Sequence, residues 1–333
     1  YSASGRNISM LEAKALHFGL ALVVMIALAQ VPPRLIRVAA PWAYLIGLAL
    51  LVAVALTGDI AMGAQRWLDL GIVRFQPSEL MKIAVPLACA WYLHERALPP
   101  SLPATLALGI AIVIPTVLIA EQPDLGTALL VAAAGGMVVL LAGLRLRYIL
   151  CAIGLLIPLA YVAWEFLLHD YQRQRVLTFL DPQNDPLGAG YHIIQSQIAI
   201  GSGGVFGKGY LRGSQAQLEF LPERSTDFIF AVIGEEWGLL GLLTVLLLFM
   251  FVVGRALYLA ASAQDTFARL AAGSIALTFC VYVFVNSGMV IGLLPVVGVP
   301  LPLVSYGGTA MVTLMSGFGI LMSLCAKRKL VRR

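Results

Sequence analysis

Nine stretches of this chain are almost continuously apolar, and short polar segments separate them. They cover residues 11–30, 42–57, 77–93, 102–120, 125–142, 148–168, 228–253, 267–291 and 306–325. A helix needs about 20 apolar residues to cross roughly 30 Å of hydrocarbon, and most of these runs reach or approach that length. None shows the alternation over about ten residues that marks a strand of a transmembrane barrel. The pattern predicts an all-α polytopic membrane protein, one integral membrane domain over 1–333 with a large loop at 169–226.

Composition supports this class and charge then orients it. The 333 residues are 60% hydrophobic and only 12% charged, against roughly 25% charged in soluble domains. A net charge of +5 invites a nucleic-acid reading, but the positions of the basic residues argue for membrane topology instead. Lys and Arg gather in cytoplasmic loops and tails, so the tail Lys327-Arg328-Lys329-Leu330-Val331-Arg332-Arg333 belongs inside. Counting back places Arg34 and Arg37, Arg96, Arg145 and Arg147, and Arg255 and Arg269 in inner loops. Nine spans then leave Tyr1 outside, with no initiator Met and no basic flank. The expectation is a further span upstream of Tyr1, making about ten with both ends inside. Cys89, Cys151, Cys280 and Cys325 lack metal-ligand spacing and read as small buried residues.

The outward segments hold polar residues that topology does not require. The 57–75 segment carries Arg66 and Trp67 and leads into Gln76-Pro77-Ser78-Glu79-Leu80-Met81-Lys82. Pro77 suits the first turn of a helix, where its missing N–H costs nothing. Glu79 and Lys82 then share a face about one turn into the membrane. Charges at that depth face a partner or a polar cavity, so they form either an ion pair joining helices or part of an outer cavity. Asp124 is a natural N-cap for the 125–142 span. Alternatively Glu79, Glu121, Asp124 and Asp227, with Arg66 and Lys82 nearby, hold a divalent cation (Mg or Mn) or a phosphorylated, sugar-bearing substrate.

The 169–226 loop is predicted to be ordered. It has a turn-rich Asp181-Pro182-Gln183-Asn184-Asp185-Pro186-Leu187-Gly188, a short interfacial helix over 191–200, and a glycine strip over 201–209. The strip fails the Walker pattern, with Ser202 at the first glycine position and Gly209 at the last. It is either a plain turn or a backbone cradle for pyrophosphate near Lys208. Arg173 and Arg175 suit either bidentate phosphate contacts or lipid headgroups. The loop ends in the charged lip Glu219, Glu223 and Arg224, and Asp227 stands where the next span begins. Asp227 is either a helix cap or a general base. Glu235 and Glu236 lie about two turns deeper, unusual acids within a span.

Five motifs resemble the SEDS family. They are Gln76-Pro77-Ser78-Glu79, Gln122-Pro123-Asp124-Leu125-Gly126-Thr127, Gly188-Ala189-Gly190-Tyr191-His192, Glu219-Phe220-Leu221-Pro222-Glu223 with Thr226-Asp227-Phe228, and Pro302-Leu303-Val304-Ser305-Tyr306-Gly307-Gly308. Tyr191-His192-Ile193-Ile194-Gln195-Ser196 and Val296-Val297-Gly298-Val299-Pro300 look like the elongation branch of the family rather than the division branch. The resemblance implies a bundle of ten transmembrane helices, nine of them here with the first missing. It implies a peptidoglycan glycosyltransferase that polymerises lipid II into glycan strands in the bacterial cytoplasmic membrane, with its active site on the periplasmic side. Asp227 would be catalytic. Matches to Glu79, Lys82 and Asp124 would line the cavity facing it. Arg66, Trp67, Gln76, Ser78, Glu121, Arg173, Arg175, Lys208, Glu223 and Ser305 join them as substrate-binding candidates. Implied partners are a class B penicillin-binding protein and the MreB, MreC, MreD and RodZ elongation machinery. The alternative is a lipid II flippase, since charges within spans also suit a transport path.

Overall fold

The structure is a computed structural model. It describes all residues except 1, 6, 62–63, 70–73, 146, 149, 152–153, 155–157, 159–160, 168–169, 185–187, 219, 222 and 327–333. In chain order the main elements are α1 (Ile8–Gln30), α2 (Pro33–Thr57), β1 (Asp59–Ala61), β2 (Ala64–Asp69), β3 (Arg74–Phe75), α3 (Pro77–Leu93), α4 (Leu102–Glu121) and α5 (Leu125–Leu141). After the 148–168 stretch come α6 (Asp170–Leu180), α7 (Ala189–Gly203), α8 (Ile229–Ala261), α9 (Thr266–Ile291) and α10 (Gly308–Cys325).

Among the described residues six helices are long and apolar enough to cross a membrane: α1, α2, α4, α8, α9 and α10. The chain is a multi-pass, helical membrane protein. α5 is apolar but shorter, and α3 spans 17 residues. Part of the expected 148–168 span falls outside the described residues, as does the basic tail. Arg34, Arg37, Arg255 and Arg269, expected in loops, lie within the ends of α2, α8 and α9. Long basic side chains at a helix end reach the interface while their stems stay on apolar surface. Pro77 sits at the start of α3 as expected, and Pro33 opens α2, ahead of the apolar run expected from 42. Cys151, expected to be buried, is exposed.

The all-α expectation needs one correction. The 57–75 segment folds into a three-stranded antiparallel sheet in the order β1-β2-β3, with Asp59 opposite Trp67 and Leu68 opposite Phe75. Its strands are short and lie between two long apolar spans.

The chain divides into two units. One comprises residues 14–143, 250–281 and 307–333. There α3 packs against α2, α5 and α10, and α4 packs against α5. Ala256 and Ala260 of α8 meet Ala272 and Ala276 of α9 and Leu321 of α10. Small side chains allow such close helix approach in lipid, where burial from water gives no drive. Ser274 of α9 ties this unit further, donating to the Ala134 carbonyl of α5 at 2.7 Å.

The other unit comprises residues 1–13, 144–249 and 282–306. Its distinctive feature is a break in α8 at Gly238, whose φ is 66° and ψ −162°. A break strands the carbonyls before it and the amides after it, and each unpaired group in hydrocarbon costs several kcal/mol. The glycine strip supplies the missing partners. Lys208 N and Gly209 N donate to the Glu235 and Glu236 carbonyls, each at 2.9 Å. Leu239 N and Leu240 N donate to the Gly204 and Val205 carbonyls at 2.9 and 3.2 Å. A Cβ on Gly238 would lie 2.4 Å from Gly207 N, so only glycine permits this approach. Residues 239–261, after the break, still suffice to cross about 30 Å at about 1.5 Å per residue.

Candidate functional site

Asp227 lies in a turn before α8, half-buried. The charged lip curls under it: Thr226 N and Phe228 N both donate to the Glu223 carbonyl, at 3.1 and 3.2 Å. The Thr226 hydroxyl donates to Glu223 Oε2 at 2.6 Å. Phe228 is buried, and the His192 ring from α7 stacks on it at 5.8 Å. This apolar anchor fixes the point where the polar lip meets the span.

The turn is also held from the C-terminal side of the unit. Three successive carbonyls accept hydrogen bonds from α9 and the loop after it. Tyr306 N donates to Ser225 O at 2.8 Å, Ser305 Oγ to Thr226 O at 2.5 Å, and Asn286 Nδ2 to Asp227 O at 2.8 Å. The carboxylate faces the same loop, because a Cβ built on Gly298 would stand 3.6 Å from Asp227 Oδ2. Gly298 has a φ of 71°, which favours glycine, so this position puts no side chain of its own against the carboxylate.

Ser305 was expected to bind substrate. Instead its hydroxyl donates to Thr226 O and accepts from Leu301 N at 2.8 Å, so it shapes the loop. Lys208 is likewise committed, with its Nζ donating to Glu235 Oε1 at 2.8 Å and to Ser214 Oγ at 2.9 Å. The amides of Lys208 and Gly209 serve the helix break, which removes them from any pyrophosphate cradle. Glu235 also accepts from Ser214 Oγ and Gln215 N, and Glu236 from Leu211 N and Ser2 Oγ. Both deep acids are thus partnered, as buried charges must be. Arg173 donates to the Glu165 carbonyl at 3.0 Å, and the Arg175 side chain is outside the described residues. Glu223 is exposed.

The second polar group belongs to the other unit, at the start of α3 and α5. Lys82 Nζ donates to Glu79 Oε1 at 2.7 Å, with both side chains buried. Among the described residues, the other Glu79 oxygen has no hydrogen-bond partner, and neither does the buried Ser78 hydroxyl. Asp124 caps α5 as expected, accepting from Thr127 N at 3.2 Å. Its second oxygen accepts from Gln76 Nε2 at 3.0 Å. Arg66 of β2 donates to the Gln122 and Pro123 carbonyls, so it holds the turn before α5. Trp67 is half-buried and Glu121 exposed. Glu79 also lines a cavity of about 460 Å³, otherwise walled largely by apolar residues such as Leu28, Ile36, Leu80, Ile83 and Val312.

Of the four carboxylates, Asp227 belongs to one unit and Glu79, Glu121 and Asp124 to the other. Among the described residues, no three His, Cys, Asp or Glu side chains are grouped to hold a metal ion.

A model of the cell cycle proteins FtsW, RodA and SpoVE matches residues 2–330. The chain belongs to the FtsW/RodA/SpoVE family. It is 57% identical over 333 residues to the peptidoglycan glycosyltransferase MrdB of Escherichia coli K12, covering all of this chain and 90% of that protein. It is 42% identical over 298 residues to MrdB of Helicobacter pylori J99, covering 86% and 74%. A probable peptidoglycan glycosyltransferase FtsW from Geobacter sp. M18 is 37% identical over 288 residues, covering 85% and 77%. Among solved structures, a chain of a peptidoglycan synthase complex, described for its coordination of polymerization and crosslinking, matches with a TM-score of 0.83. Its identity is 34%, over 97% of this chain and 92% of that one. RodA of Thermus thermophilus matches with a TM-score of 0.72 and 29% identity, covering 97% and 89%.

Asn286, beside Asp227, escaped the sequence reading, and Gly298 entered it only within the 296–300 motif. Asn286 is a lone amide near the C-terminal end of an apolar span. Polar residues at such depth usually have a partner or a function, and that signal was available in this FtsW/RodA/SpoVE chain.

Proposed function

We propose that Asp227 is the general base of glycan polymerisation in this chain. The chain is a peptidoglycan glycosyltransferase of the elongation branch, the activity of relatives it matches over its full length. The reaction takes lipid II at the outer face of the bacterial cytoplasmic membrane. The acceptor sugar's 4-hydroxyl attacks the donor's anomeric carbon. A C–O bond forms there as the bond to pyrophosphate breaks, and undecaprenyl pyrophosphate leaves. The hydroxyl proton passes to the Asp227 carboxylate. Single displacement inverts the anomeric centre, and a pyrophosphate leaving group needs little help from an acid.

One observation carries the assignment. The Asp227 carboxylate lies beside a side-chain-free position, Gly298, while its own backbone is fastened by its neighbours. A base must reach the proton it removes and be held in place to do so. Asp124 caps α5 through one oxygen and accepts from Gln76 Nε2 through the other, which gives it a structural task at the start of that helix. The largely apolar cavity at Glu79 suits a lipid chain better than a sugar. Arg66, Arg173 and Lys208 are tied to protein groups, so none is assigned to the pyrophosphate.

Partners follow the same reasoning. A chain of similar fold works within a peptidoglycan synthase complex, and a class B penicillin-binding protein would supply cross-linking here. The MreB, MreC, MreD and RodZ machinery would direct the pair. The test uses the purified chain, its transpeptidase partner and lipid II in detergent, where flipping has no meaning. Glycan polymer from the wild type and none from Asp227→Ala is expected. Equal polymer from both would remove Asp227 from the chemistry, and none from either would return the flippase reading.

A further inference from the structure

The side chain of Asn286 is fully buried in the C-terminal part of α9. Its Nδ2 group donates to two carbonyls, Asp227 O and Val299 O, each at 2.8 Å. A primary amide has two N–H donors, and here both are engaged. Its orientation is fixed chemically: turning the amide over would set an oxygen against two carbonyl oxygens. The second carbonyl matters as much as the first. Val299 follows Gly298, the residue beside the Asp227 carboxylate. One amide therefore grips both the backbone that carries the carboxylate and the loop that the carboxylate faces.

We infer that Asn286 is a positioning residue for Asp227, fixing the carboxylate against the Gly298–Val299 backbone. This inference rests on the proposal that Asp227 is the base. Ser305 assists from the adjacent carbonyl, Thr226 O, and the Tyr306 amide from Ser225 O. Of the three clamps, it is Asn286 whose side chain joins the Asp227 backbone itself to the residue after Gly298. Without it the helix start and the loop are free to separate, and the carboxylate shifts relative to the bound acceptor hydroxyl. A displacement of about 1 Å in a reacting group can cost about 100-fold in rate. Substrate affinity is set by contacts along the whole lipid-linked disaccharide, so KM should move little.

The experiment measures polymerisation by the full chain with its partner, as a function of lipid II concentration. Asn286→Ala removes both donors. Asn286→Asp keeps the shape but opposes two carbonyls with oxygens. Each is expected to lower kcat by about 10- to 100-fold, with KM within about twofold of wild type. Ser274→Ala is the control, because it removes another buried side-chain bond from α9, in the other unit. Ser274→Ala should lower the thermal midpoint but leave kcat of the folded protein unchanged. If the Asn286 variants fail to fold, Ser305→Ala carries the test, with a smaller fall in kcat at constant KM. Asp227→Asn is measured alongside. If Asp227→Asn is inactive while the folded Asn286 variants, or Ser305→Ala in their place, keep the wild-type kcat, the clamp is overturned and the base assignment stands. If Asp227→Asn keeps the wild-type rate, the base assignment fails and the inference falls with it.

Discussion

At the scale of single residues, the Glu79–Lys82 pair separates folding from function most cleanly. Breaking a buried pair leaves one charge stranded, at a cost of about 3–5 kcal/mol, whereas replacing both partners with apolar residues is often neutral. Glu79→Gln is therefore expected to lower stability by several kcal/mol, and Glu79→Met with Lys82→Met to restore most of it. Thermal unfolding of the purified proteins in detergent measures this. If the pair also serves catalysis, the double variant will be stable yet poor at polymerisation. A double variant that is stable and fully active would reduce the pair to a strut. The sequence showed these two charges on one face. It also showed the Asp124 cap, because capping depends on local chemistry alone. It did not show that Ser305 and Lys208 would be committed to protein groups, since their partners lie 79 and 27 residues away.

At the scale of elements, the break in α8 explains two features that looked unrelated along the chain. The glycines of the 201–209 strip resembled an anion cradle, and Glu235 and Glu236 resembled stray acids in a span. Together they form one joint, in which the strip's backbone completes the broken helix and Lys208 neutralises Glu235. Apolar periodicity could not reveal this, because the apolar run resumes directly after Gly238 and the strip that completes the break lies about thirty residues earlier in the chain. Gly238→Ala would meet the strip's backbone and adopt a positive φ. Strain of that kind costs about 1–3 kcal/mol before any clash. Gly254 lies in the same helix with open space around its α-carbon, and alanine there favours the helix by up to about 1 kcal/mol. Gly238→Ala should thus lower the thermal midpoint clearly, while Gly254→Ala leaves it level or raises it. Equal midpoints would mean the strip does not splice the helix.

At the scale of the whole molecule, the proposed orientation is testable without any assay of activity. With the four native cysteines replaced by alanine, Arg212→Cys in the large loop should react with a membrane-impermeant maleimide on intact spheroplasts. Ser262→Cys, between α8 and α9, should react only after permeabilisation. Both positions are exposed, so accessibility does not confuse the comparison. The reverse pattern would invert the topology and place Asp227 on the cytoplasmic side. The class of fold was plain from hydropathy because lipid imposes the same length and polarity on every span. The 57–75 sheet was not, since its strands are only two to six residues long and carry no span-length signal.

The central claim is that the Asp227 carboxylate takes the acceptor's proton. Its most direct test is the single-turnover rate of glycosidic bond formation by Asp227→Asn, with lipid II binding measured on the same sample. Asparagine keeps the size of the side chain but cannot accept the proton. The account expects binding close to wild type and a rate lower by about 100- to 10,000-fold, the usual contribution of a general base. A rate within about threefold of wild type, at equal binding, would contradict it.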